Sequence, residues 1–117
     1  MSTINFQTEN LNSHNIVLVK WIGMALGDDG QPFTGIQFPD RSVQAVGTFG
    51  VGGTVKLEGR LAADLAYVAL TDPQGNDINL GAAKIEAVTE LVYEIRPRIT
   101  GGDGTTSIDV YLLLKRV

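Results

Sequence analysis

The sequence predicts an all-β fold: a single compact antiparallel β-sandwich, jelly-roll-like, with about eight strands. Three observations carry this expectation. Two segments near the C-terminus alternate strictly, Tyr93, Ile95, Pro97 and Ile99 against Glu94, Arg96 and Arg98, then Ile108, Val110, Leu112 and Leu114 against Ser107, Asp109, Tyr111 and Lys115. Side chains on a strand change face at every residue, so each segment has one buried and one wet face. Glycine supplies 14 of the 117 residues, well above the roughly 7% of ordinary usage, which suits a chain that turns often. Short extended runs recur at about 8 to 12 residues with turn signals between them, the spacing of sandwich strands.

Residues 1–14 are polar, with Ile4, Phe6 and Leu11 as the only large anchors, and are expected to form an N-terminal arm or edge strand ahead of a sandwich domain spanning 15–117. Ile16 to Ile22 is apolar on both faces apart from Lys20, the pattern of a strand buried on both sides or covered by a partner. Gly27-Asp28-Asp29-Gly30 turns the chain, since Gly and Asp tolerate left-handed backbone angles. Gly35 to Phe38 ends at Pro39 and reads as an edge or a brief strand. Arg41 to Phe49 is a longer one, with Val43, Ala45 and Phe49 on one face. The loop Gly50-Val51-Gly52-Gly53 leads into Thr54 to Arg60, where Val55 and Leu57 alternate with polar neighbours, so a hairpin is expected there. A second is expected across Thr100 to Gly104.

Leu61 to Leu70 fits a helical stripe as well as a strand, because Leu61, Ala62, Leu65, Ala66 and Ala69 recur at helical spacing. A loop or one helical turn followed by a strand at Tyr67 to Thr71 is the expectation. Asp72-Pro73-Gln74-Gly75-Asn76 is a turn, with Pro fixing one backbone angle and Gly supplying the other sign. Asp77 to Leu80 is short and extended, and Ala82 to Glu90 is read as a strand.

Composition narrows the function. Hydrophobic residues make up 44% of the chain, enough for one core without disulfides or a metal. No cysteine is present, which excludes thiol nucleophiles and cysteine-ligated metal or iron–sulfur sites. A net charge of −4 argues against phosphate-backbone binding, so nucleic acid is not an expected partner. No run reaches the ~20 apolar residues of a bilayer span and no signal peptide is evident, so no membrane partner is expected.

No constellation of catalytic residues stands out. Gly47, Gly50, Gly52 and Gly53 superficially suggest a phosphate loop, but such a loop opens a helix and Thr54 to Arg60 alternates as a strand. His14, the single histidine, has no acid or base at a recognisable spacing and reads as a loop residue. Asp28, Asp29, Asp72, Asp77 and Asp103 sit beside Gly or Pro in turns, where aspartate bonds nearby backbone, and form no calcium-loop motif. No nucleophile elbow accompanies them. No enzyme, no metal and no cofactor is therefore expected. Trp21, the only tryptophan, reads either as a core residue or as an interface anchor. Ile4 and Phe6 join it as candidate protein-interface residues.

The segments Asp40-Arg41-Ser42-Val43-Gln44, Gly47-Thr48-Phe49-Gly50, Leu70 to Asn76, Ile95-Arg96-Pro97 and Thr100 to Thr106 resemble small virion proteins of tailed bacteriophages, of the capsid decoration or cement type. Arg60-Leu61-Ala62-Ala63-Asp64 departs from the Ser-Asn-Asp-Gly type of loop that often follows the preceding strand in such proteins. The resemblance implies a non-enzymatic protein made in the host cytoplasm and bound to the outer surface of the capsid in the virion. Its partner would be the major capsid protein, and it would be a homo-oligomer, with a trimer favoured. Binding at many copies replaces a deep pocket with avidity, and an N-terminal edge can add to a neighbouring sheet. Other expectations are a head–tail joining, tail or head-fibre protein, or a carbohydrate-binding sandwich, which would need exposed aromatic rings.

Overall fold

The computed structural model describes residues 2–11 and 15–116; the expectation for His14 lies outside them. In chain order the strands are β1 (Thr3–Ile4), β2 (Gln7–Asn10), β3 (Ile16–Met24), β4 (Asp29–Gly30), β5 (Phe33–Thr34), β6 (Asp40–Thr48), β7 (Thr54–Arg60), β8 (Val68–Ala69), β9 (Asn79–Leu80), β10 (Lys84–Ala87), β11 (Glu94–Thr100) and β12 (Ser107–Lys115). No helix occurs among the described residues. Strands exceed the expected eight because several pairings are only two residues long, too short to leave a periodic signal.

The strands form two sheets. One has five strands in the order β10-β6-β12-β3-β2; the other has seven, with the path β1-β4-β11-β7-β8, β5 beside β11 and β9 beside β7. All pairings are antiparallel except β1 with β4. The core lies between the sheets. Val17, Val19, Trp21, Val43, Ala45, Val110, Leu112 and Leu114 reach it from one side, and Val55, Leu57, Ile95 and Ile99 from the other.

The alternation identified the inward residues of the last two strands, but the hairpins expected from it are not formed. β11 pairs with β7, β5 and β4, whereas β12 pairs with β3 and β6 in the opposite sheet. β6 and β7 likewise belong to different sheets. Both connections are arches that carry the chain over the core, and they lie side by side. The Val51 amide donates to Asp103 Oδ2 at 3.0 Å, and the Thr106 hydroxyl donates to the Phe49 carbonyl at 2.9 Å. Alternation reports which face a residue takes and is silent on which sheet its strand joins.

Two further expectations change, and at the N-terminus one of two expected alternatives is seen. Residues 36–37 form a turn, closed by the Phe38 amide donating to the Gly35 carbonyl at 3.0 Å. The strand lies earlier, at β5. β3 is not buried on both sides: Val17, Val19 and Trp21 face the core, while Ile16 and Leu18 are half-buried and Ile22 is exposed, because no third layer covers the outer face. Residues 2–10 are edge structure rather than a free arm. β1 borders the seven-stranded sheet and β2 the five-stranded one, so this segment crosses between the sheets.

Candidate interaction surfaces

The interface residues named from sequence come together at the N-terminal end of the sandwich, mostly inside it. Trp21 is fully buried, and its Nε1–H donates to the Gln31 carbonyl at 3.0 Å. Phe6 packs edge-on against Trp21 and Phe33, with centroids 6.2 and 5.4 Å away. Ile4 is half-buried against the same cluster. An indole with no surface outside its own chain has none to offer a partner, so Trp21 is a core residue. Its anchors are local: the Gln31 amide donates to the Ile4 carbonyl at 2.8 Å and the Ser2 amide to Asp28 Oδ1 at 2.9 Å.

Three of the turn aspartates spend oxygens on backbone, while Asp29 lies 3.8 Å from Arg96. Asp28 also accepts from Ala25, Asp72 from Gln74 and Asn76, and Asp103 from Thr105 as well as Val51. Bonds from the Thr105 hydroxyl and amide and the Val51 amide hold Asp103 below the ordinary carboxylate range. Among the described residues no three His, Cys, Asp or Glu side chains gather as metal ligands would.

A different place draws attention, an open cleft of about 620 Å³ at the β8 edge of the seven-stranded sheet. Its floor is β7 at Gly59, where a Cβ would stand 2.7 Å from Val92 and 3.0 Å from Leu70. Val92 and Leu70 thus close over Gly59 and leave no room there for a side chain. Leu61, Leu65, Val68 and Leu91 line it while remaining exposed, Leu61 at 67% and Val68 at 61%. Apolar side chains clustered at the surface of a small protein commonly mark a binding site. The loop 61–66 that supplies two of them departs from the expected family pattern.

Polar groups hold the walls. Arg60 Nε donates to Glu94 Oε1 at 2.5 Å and its Nη1 to the Leu65 carbonyl at 3.2 Å, which ties the loop to the sheet. Tyr67 lies against the guanidinium groups of Arg60 and Arg96, 4.4 and 3.8 Å from its ring centroid. Across the cleft the Thr71 hydroxyl and amide both donate to Glu90. Burial pushes the Glu90 carboxyl up, and those bonds outweigh it and leave the group below its ordinary range.

The two outer sheet faces differ. Register pairs Arg60 with Glu94 and Glu58 with Arg96 on the outside of the seven-stranded sheet, and Glu58 also lies 3.8 Å from Arg98, a charged ladder suited to water. The outside of the five-stranded sheet instead carries Leu18, Tyr111, Leu113 and Ile85 around a shallow depression of about 250 Å³. The cleft was not foreseen from sequence, whereas the outer face of β3 was expected to be buried or covered by a partner. The available signal was a set of leucines and valines in 61–70 beyond what the inward positions hold, together with the outward apolar residues of β3 and β12.

Comparison with solved structures shows the fold to be shared. The SPBc2 prophage-derived protein YomS matches with a TM-score of 0.58 at 13% identity, over 90% of this chain and 98% of that one. Protein NMB1881 from Neisseria meningitidis matches with a TM-score of 0.42 at 17% identity, over 95% of this chain and 83% of that one. No protein-family model and no curated protein matches the sequence.

Proposed function

We propose that this chain is a non-enzymatic structural protein of a tailed-phage particle, a jelly-roll-like decoration protein that sits on the capsid surface and binds the major capsid protein. The observation that carries the reading is the exposed apolar cleft beside β8, lined by Leu61, Leu65, Val68 and Leu91. A side chain projecting from a shell protein would cover Leu61, Leu65, Val68 and Leu91. Many such contacts of modest individual strength hold a small domain to a repeating lattice. The sequence resemblance to decoration proteins supports the same reading, and the origin of YomS in a prophage is in keeping with it.

The carbohydrate-binding alternative fits less well. Of the four phenylalanines, three tyrosines and one tryptophan, Tyr93 at 40% is the most exposed, and Tyr67 is occupied by two arginines. Stacking on a sugar needs an open ring face.

Cosedimentation with mature, undecorated phage heads tests the proposal. Saturation at hundreds of copies is expected, with a raised temperature of head disruption. Leu65→Asp and Val68→Asp should weaken binding while leaving stability within about 0.5 kcal/mol, as exposed positions usually do. Saturation at about a dozen copies would move the protein to the portal or tail, and absence of binding would remove it from the particle.

A further inference from the structure

The outer face of the five-stranded sheet is self-complementary about one line. Register places Val19, Leu112 and Val43 in a row across β3, β12 and β6, all pointing inward. Outward residues flank this row at equal distances. One step away on β12 stand Tyr111 and Leu113, and three steps away Asp109 and Lys115; on β3 Leu18 and Lys20 stand one step away, and Ile16 and Ile22 three. A two-fold axis along the row, in the plane of the sheet, brings a second copy face to face with its strands reversed. Tyr111 then lies over Leu113 of the other copy, Ile16 over Ile22, and Asp109 over Lys115.

We infer that this face pairs two copies of the chain in an isologous dimer, a two-fold arrangement in place of the trimer that the resemblance implies. An isologous contact requires each residue to meet the mirror position of the same surface; here opposite charges meet at the ends of β12 with apolar side chains between them, while Lys20 of β3, ion-paired at 3.0 Å with Glu9 of its own chain, lies over Leu18. A foreign partner imposes no such symmetry. The depression bounded by Leu18, Tyr111, Leu113 and Ile85 lies beside the axis, where Tyr111 or Leu113 of the second copy enters it. Aromatic side chains seated in a pocket near the centre dominate many interfaces.

Charge and area point the same way. The chain carries a net charge of −4, which opposes self-association in general. This face escapes that repulsion because Asp109 meets Lys115 twice across the axis. Asp40 lies at the rim next to Lys115. Five strands about 4.8 Å apart, the longest rising about 3.3 Å per residue over nine residues, give a footprint of roughly 20 by 30 Å. That is about 600 Å² per copy and about 1,200 Å² in all, at the small end of specific interfaces. The pair is accordingly weak and reversible. The inference stands apart from shell binding, which uses the β8 edge.

Sedimentation velocity on the full chain, from low to high micromolar concentration, tests it. A concentration-dependent monomer–dimer equilibrium is expected. Lys115→Asp and Asp109→Lys should each weaken it about tenfold or more, because each sets like charges against one another twice. Mixing the two variants should restore a heterodimer, since every charge then meets its opposite. Asp109 also accepts from the Gly23 amide at 2.9 Å, so Leu113→Arg serves as an independent variant and should leave only monomer. A wild-type chain that stays monomeric overturns the inference. So does a dimer indifferent to Leu113→Arg and Lys115→Asp, or an assembly that the mixed variants fail to restore.

Discussion

Replacing Gly101 by alanine asks whether the two arches touch. Its φ is +68°, in the left-handed region where an L side chain costs about 1–2 kcal/mol. The added Cβ would also lie 2.2 Å from the Gly52 carbonyl oxygen in the neighbouring arch. Gly52 is the natural control, with a φ of +72° and no atom within 4 Å of its Cβ. Gly52→Ala therefore carries only the conformational cost, lowered by about 0.4–1 kcal/mol because alanine restricts the unfolded chain, for a net loss of roughly 1 kcal/mol. Gly101→Ala adds the displacement of one arch from the other, an overpacking cost of about 1–3 kcal/mol. The Val51–Asp103 hydrogen bond at 3.0 Å spans the same contact and stretches with it.

The totals are about 1 kcal/mol for Gly52→Ala and about 2–4 kcal/mol for Gly101→Ala. At roughly 4–8 °C of melting temperature per kcal/mol for a domain of this size, the first variant should melt about 5 °C below wild type and the second at least about 10 °C below. Thermal and urea unfolding, followed by far-ultraviolet circular dichroism and by Trp21 fluorescence, reads both. Equal losses in the two variants would refute the contact between arches.

Two other outcomes follow from polar groups already described. Asp103 has its carboxyl lowered in the folded state, so the unfolded chain binds its proton more readily. Its contribution is complete above the ordinary value of 3.8 and is lost as pH falls through the lower folded value. Acid titration of wild type should show an unfolding limb that Asp103→Asn flattens, and identical limbs would count against the role assigned to Asp103. Arg41 is 2% exposed, and donates to the Phe38 and Gly35 carbonyls at 2.9 Å and to Val92 at 3.4 Å. Arg41→Lys replaces a fork by a single nitrogen and leaves a buried carbonyl unpaired, at a cost of about 1–3 kcal/mol. The urea midpoint should shift accordingly at unchanged slope, and no shift would show that the clamp adds nothing.

The inward faces of the long strands were legible because burial imposes a period of two, as Ile95 and Ile99 or Ile108 to Leu114 show. Strand partners were not. Thr100 to Thr106 has the glycine and aspartate of a hairpin loop, yet its Asp103 bonds Val51 across 52 positions, a tie no local pattern announces. Trp21 lay open between core and interface because the acceptor of its N–H, Gln31, is a loop carbonyl beyond β4. The cleft was hidden for a similar reason: Gly59, Leu65, Val68 and Leu91 come from three stretches of chain, one of them ambiguous between helix and strand. The apolar outer residues of β3 leave burial within the chain and cover by a partner both open, because sequence does not report the number of layers.

The arches also bear on how the chain is made. In the five-stranded sheet β3 at residues 16–24 pairs with β12 at residues 107–115, so the centre of that sheet cannot close until the later segment has left the ribosome. Pairings so distant along the chain make folding slow, since loop-closure entropy is spent before the contacts that reward it form. A nascent chain of this protein has β2 beside β3 but leaves the other edge of β3 unmatched through most of its synthesis, and unmatched apolar strands are prone to aggregate. Yield would then depend on how quickly the finished chain brings β12 back to β3, and on chaperones that shield the open edge of β3 until it does.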